Sequence, residues 1–120
     1  MKEYLNSKSK IKEIIKNIHY LVINDKFIII NREKNMNFIY KYRLNSEMIK
    51  NILLHININN YVKEEFDNDT LKYGIETVII FIVNTRLIDF HGISNQVRVY
   101  IKIKLKENFI LIISIHEAKY

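Results

Sequence analysis

A strict alternation of apolar and polar residues near the end of the chain constrains the fold more than any other feature. Val97, Val99, Ile101, Ile103 and Leu105 alternate with Gln96, Arg98, Tyr100, Lys102, Lys104 and Lys106. This is the period-two pattern of a strand with one buried face and one polar, largely cationic face. The next run, Phe109 to His116, is apolar on both faces until Ser114 and His116, as expected of an interior strand whose end emerges at a surface. Together the two runs predict a closing β-hairpin.

Two registers compete for that hairpin. A two-residue loop at Glu107-Asn108 pairs Lys106 with Phe109 and Lys104 with Leu111, opposing charges to apolar residues and sending Tyr100 and His116 to opposite faces. A three-residue loop, Lys106-Glu107-Asn108, with Asn108 in the left-handed region that Asn tolerates, pairs Leu105 with Phe109, Ile103 with Leu111, Ile101 with Ile113 and Val99 with Ile115. The second keeps the core face wholly apolar and is the expected register. It sets Arg98 opposite His116 and Tyr100 opposite Ser114, with Lys102 one step along.

Upstream, Ile11, Ile14, Ile15 and Ile18 form one helical stripe, predicting a helix from about Ser9 to Tyr20 with Ser7 or Ser9 as N-cap. Lys26 to Ile30 reads as an edge strand or extended arm, followed by a charged link, Asn31-Arg32-Glu33-Lys34-Asn35. Met36 to Tyr42 is ambiguous. Leu44-Asn45-Ser46-Glu47 supplies cap residues and a first-turn acid for a second amphipathic helix carrying Met48, Ile49, Ile52, Leu53 and Ile56. Asn57 to Asp69 is polar and turn-rich, and Thr77 to Val83 has the β-branched content of a buried strand. Helices first and an antiparallel sheet last predict a single α+β domain over residues 1–120, its helices on one sheet face.

With 120 residues, no Cys and 48% apolar content, the chain supports one core and has no disulfide framework, thiolate metal site or Cys nucleophile. A reducing, cytoplasmic setting is expected, as is the absence of a membrane span or an apolar leader. The abundance of Ile, Asn and Lys with no Pro suggests an AT-rich coding sequence, which weakens any argument from a single Lys. The net charge of +6 favours a polyanionic partner, nucleic acid first. Two isolated glycines cannot build a phosphate-binding loop or dinucleotide fingerprint. The four histidines, His19, His55, His91 and His116, have no paired-ligand spacing. No cofactor and no metal are therefore expected, and the acidic residues Glu64, Glu65, Asp67 and Asp69 read as a solvated loop.

The remaining groups suit metal-free RNA cleavage. There the ribose 2′-hydroxyl attacks the adjacent phosphorus, which requires a base for the 2′ proton, cations for the phosphoryl charge and an acid for the leaving oxygen. Tyr100, His116, Arg98, Lys102 and Lys63 supply those types, and an imidazole is the natural proton carrier near neutral pH. Each also has a structural reading. A strand-end His, a packed Tyr and a solvated Lys row at 102, 104 and 106 are common without any catalysis. Tyr61, Phe66 and Tyr73 fit core or loop packing better than base stacking.

From about Arg43 onward the chain resembles the MqsR family of toxins from type II toxin-antitoxin modules. The resemblance lies in Leu44 to Leu54, in Ile58-Asn59-Asn60-Tyr61, and most specifically in Val99-Tyr100-Ile101-Lys102-Ile103 and Ile113 to Tyr120. It implies a RelE-like fold, metal-independent cleavage of messenger RNA, and neutralisation by a cognate antitoxin. It maps the family's strand tyrosine onto Tyr100, a lysine following the Tyr61 segment onto Lys63, and His116 onto a position where some members carry a catalytic lysine. A glutamine that some members place on the preceding strand has no counterpart in residues 77–83, so no base selectivity is implied. The resulting expectation is an endoribonuclease with Tyr100 and His116 in proton transfer, Arg98 and Lys63 on the scissile phosphate, and Lys102 and Lys104 on flanking phosphates. Two alternatives stand beside it. One is a non-catalytic nucleic-acid or protein-binding module with a basic sheet face; the other is a structural partner whose Ile110 and Ile112 are covered by another chain.

Overall fold

The structure is a computed structural model and describes residues 2–66 and 77–118. Three helices, α1 (Lys2–Ile23), α2 (Glu33–Lys41) and α3 (Ser46–Leu54), accompany strands β1 (Phe27–Ile29), β2 (Tyr61–Phe66), β3 (Thr77–Ile88), β4 (Ser94–Leu105) and β5 (Ile110–Glu117). The strands form one sheet in the order β1-β5-β4-β3-β2, antiparallel except for the β1/β5 pair. The α+β architecture with helices on the sheet is as expected. One core collects Ile11, Ile15 and Ile18 of α1, Ile52 and Leu53 of α3, and Phe81, Val99, Ile101, Ile112 and Ile115 of the sheet. Ile110 and Ile112 are fully buried in it, which removes the reading in which another chain covers them. Among the described residues no helix is long and apolar enough to cross a membrane.

Several elements differ from their sequence-based bounds. Helix α1 runs through Ser7 and Ser9 instead of starting there, because lysine-rich, straight-chain flanks extend a helix that its apolar stripe has already fixed. It ends in a reversal in which the amide of Lys26 donates to the carbonyl of Leu21 at 2.7 Å, with Asp25 at φ 61°. Helix α2 ends the same way, Leu44 donating to Ile39 at 2.9 Å with Arg43 at φ 49°. These are Schellman endings built on non-glycine residues. Helix α3 is capped as expected by Asn45, whose Oδ1 accepts from the amide of Met48 at 2.9 Å. The stretch read as turn-rich contains a 3-10 turn (Ile58–Asn60) and β2. Its tail, Asp67 to Asp69, lies outside the described residues, as does Tyr73.

The β4/β5 hairpin is where expectation and structure part most instructively. Next to the turn Leu105 faces Ile110 and Lys104 faces Leu111, and the amide of Lys106 donates to the carbonyl of Phe109 at 2.9 Å. This is the register of the two-residue turn and not of the three-residue loop. The register then shifts between Lys102 and Ile103, so that Ile103 faces Ile112 while Lys102 faces Ser114. Ile113 is left without an opposite number, as in a β-bulge. Beyond it Ile101 faces Ile115 and Tyr100 faces His116. The one-residue insertion restores what the turn alone would have forbidden: Val99 and Ile115 point into the core, and Tyr100 and His116 share the opposite face.

The bulge is held by Asn35, a fully buried residue on α2. Strand β1 pairs with β5 only as far as Ile112, whose carbonyl still accepts from the amide of Ile30 at 3.0 Å. Past that point the Asn35 side chain takes over. Its Nδ2 donates to the carbonyls of Ile30 at 2.9 Å and Ile113 at 3.0 Å, and its Oδ1 accepts from the amide of Ile115 at 2.8 Å. A carboxamide carries the same donor and acceptor as a peptide group. Asn35 therefore continues the parallel ladder for one more step, on the edge that β1 vacates.

Asn35→Ala should lower the free energy of unfolding by about 2–5 kcal/mol, because it strands buried carbonyl and amide groups at about 1–3 kcal/mol each. Asn35→Asp should be at least as damaging, since a carboxylate cannot donate to the two carbonyls. Urea unfolding would measure both, and a loss for Asn35→Ala below about 0.5 kcal/mol would contradict this role.

Candidate active site

On the sheet face away from α1 and α3, Tyr100, Lys102, Ser114 and His116 form the floor of an open depression of about 460 Å³, walled by Arg32, Glu33, Lys34 and Asn35. The floor comes from the polar side of β4 and from Ser114 and His116, the residues of β5 past the bulge that face the same way. The wall comes from the start of α2, which Asn35 ties to β5. Helix α2 and the bulge thus position the two halves of the site together.

The Tyr100 and His116 rings stack, with centroids 5.1 Å apart and planes 21° from parallel. His116 Nδ1 lies 3.0 Å from the carbonyl oxygen of Glu117. A carbonyl oxygen only accepts, so this bond puts hydrogen on Nδ1 and leaves Nε2 as the basic atom of the neutral ring. The histidine is therefore oriented by backbone and presents one proton-accepting nitrogen. The other histidines are elsewhere: His19 on α1, His91 in the β3/β4 loop, and His55 at the end of α3, where its Nδ1 lies 2.6 Å from the carbonyl of Asn51.

The remaining expected site residues are only partly brought together. Lys102 lines the depression, and its Nζ is 3.2 Å from Glu65 Oε1. Lys63 lies on β2, opposite Ile80, which in turn faces Lys102 across β3. It is therefore two strand spacings, about 10 Å, from β4. Its Nζ is 3.2 Å from Glu65 Oε2, so one carboxylate bridges the two lysines. Glu65, read from the sequence as part of a solvated acidic loop, is a strand residue facing these cations. The hydrogen bonds from Lys63 and then Lys102 hold its carboxyl below the usual range. The bridge is present at neutral pH and is lost as pH falls through that lowered value.

Arg98 does not face His116. The bulge moves that partnership to Tyr100, and Arg98 instead aligns with Asn84, its carbonyl accepting from the amide of Ala118 at 2.8 Å. It is exposed and outside the depression. Lys104, expected to be exposed beside Lys102, is buried with 9% of its surface accessible, because its row on the sheet runs between the buried Val78 and the half-buried Leu111. Tyr61 packs edge-on against Phe81 at 6.3 Å, a core contact.

Arg32 and Lys34, expected in a charged link ahead of a segment of ambiguous structure, are the cations the sequence reading leaves out of the site. The signal was the spacing of Asn35, Phe38 and Tyr42, a helical stripe with one polar member. A helix carrying that stripe inward necessarily presents Lys34 and Lys41 along its flank.

Glu65→Gln should free both lysines without disturbing the fold, since ion pairs this accessible contribute about 0–1 kcal/mol. The salt dependence of single-stranded polyanion binding should steepen by about 0.7 for each lysine released. A slope identical to the parent protein's would show that the bridge does not compete with phosphate. No protein-family model matches the chain, and no curated protein or solved structure shows a significant similarity to it.

Proposed function

We propose that the protein is a metal-independent endoribonuclease, the toxin of a toxin-antitoxin pair of the MqsR kind, acting on messenger RNA in the cytoplasm and neutralised by a cognate antitoxin protein. The observation that carries this reading is the stacked Tyr100/His116 pair on the floor of a depression edged by Arg32, Lys34 and Lys102. A surface that only binds RNA has no need of an imidazole whose free nitrogen is fixed by a backbone bond.

In the proposed reaction His116 Nε2 takes the proton of the ribose 2′-hydroxyl, and the 2′ oxygen attacks the adjacent phosphorus. The bond to the 5′ oxygen breaks in line, and that oxygen takes the Tyr100 phenol proton. The products are a 2′,3′-cyclic phosphate and a free 5′-hydroxyl. Arg32, Lys34 and Lys102 stabilise the charge that grows on the phosphoryl oxygens. Neither Lys63, two strands away, nor the buried Lys104 is assigned to the scissile phosphate in this scheme. Arg98, on the same face beyond Tyr100, is suited to a flanking phosphate.

His116→Ala should reduce cleavage of a long RNA by about two to four orders of magnitude while leaving affinity nearly unchanged. Cleavage by the parent protein should persist in EDTA and leave 2′,3′-cyclic phosphate ends. A folded variant that cuts at the parent rate would remove His116 from the mechanism. A parent protein that binds RNA but never cuts it, with or without metal, would leave the basic face as a recognition surface alone.

A further inference from the structure

A second depression, of about 250 Å³, adjoins the first and is lined by Lys34, Asn37, Phe38, Lys41, His116 and Glu117. Lys34 and His116 line both, so the two meet at the proposed proton carrier. The first is lined by Arg32, Lys34 and Lys102, of which Lys102 is paired with Glu65 while the other two share the wall with Glu33. In the second the Lys41 ammonium is already satisfied by Glu117 at 2.9 Å, which leaves Lys34, at the shared boundary, as its one uncompensated cation. Lys34 is thus the cation that both depressions offer a phosphate, at the boundary where they meet.

The second depression also carries the right recognition group. Asn37 lies three residues after Lys34 and four before Lys41, on the flank of α2 that faces His116. Its side chain is exposed and makes no hydrogen bond among the described residues. A side-chain carboxamide has a donor and an acceptor spaced to meet the paired donor and acceptor on a base edge, and single-stranded RNA presents such edges unpaired. Phe38, a core residue, closes the inner side of the lining.

We propose that the second depression is a nucleotide subsite, in which Asn37 reads the base next to the phosphate held at Lys34 and His116. The strand then runs along the seam between α2 and β5. The inference rests on the nuclease reading for the identity of the ligand as RNA, but not on turnover.

The test uses 2′-O-methyl dinucleotides, which cannot be cleaved because the nucleophile is blocked, carrying A, C, G or U at each position in turn. The intact protein should discriminate among the bases at one position by about tenfold or more, the usual scale of a paired hydrogen-bond contact. Asn37→Ala should compress that range to within about threefold, and Asn37→Asp, which keeps an acceptor and loses the donor, should reorder the preference. Both changes are on an exposed residue, and circular dichroism checks that the fold is retained. Equal binding of all bases by the parent, an unchanged ranking in Asn37→Ala, or no binding of any dinucleotide would overturn the subsite. Base discrimination that depends on Asn37 in a protein that never cuts RNA would instead retain the subsite and reject the nuclease.

Discussion

The carboxamide of Asn35 stands in for a peptide group beside β5, and the geometry of the polar sheet face depends on that substitution. Strand β1 is three residues long and leaves β5 at Ile112, where the bulge at Ile113 begins to displace the backbone. Buried amides and carbonyls without partners are costly, so the bulge needs a partner that a short edge strand cannot give. Asn35 provides it from the first turn of α2, and its two hydrogen bonds to β5, with a third to the carbonyl of Ile30, fix the helix against the strand. One side chain thereby sets the register of β5, the placement of α2 and the cleft between them.

That register decides which chemistry is possible. With the turn register carried through unbroken, Tyr100 would face Ile115 and His116 would point into the core. The added residue turns His116 outward against Tyr100 while keeping Ile115 inside, fully buried. Charges flank the pair on both sides. On the β2 side Glu65 bridges Lys102 and Lys63, and on the α2 side Arg32, Glu33 and Lys34 lie along the rim. Each side keeps an excess of cation beside the imidazole.

Much of this was legible in the alternation of β4, because a strand with one apolar face leaves no freedom over which side chains point outward. Tyr100, Lys102 and the sharing of a face by Tyr100 and His116 follow from it. The bulge does not. Residues 109–113 are apolar throughout, so sliding the strand by one residue there changes no hydrophobic match, and the pattern cannot choose between registers. The expected loop gave the right face for the wrong reason. Helix α2 was hidden by its own chemistry, since Asn35 sits at a core position and reads as polar link until its backbone partners are known. The burial of Lys104 was equally hidden, because alternation assigns a face and not the depth to which that face is covered.

Cross-strand nuclear Overhauser contacts between β4 and β5 in the intact protein report the register that Asn35 and the bulge impose. Contacts are expected between the Tyr100 and His116 rings, between Lys102 and Ser114 and between Ile103 and Ile112, together with slowly exchanging Asn35 side-chain amide protons. A continuous register in which Tyr100 lies opposite Ser114 or Ile115, with Asn35 amide protons exchanging at solvent rates, would contradict the bulged one.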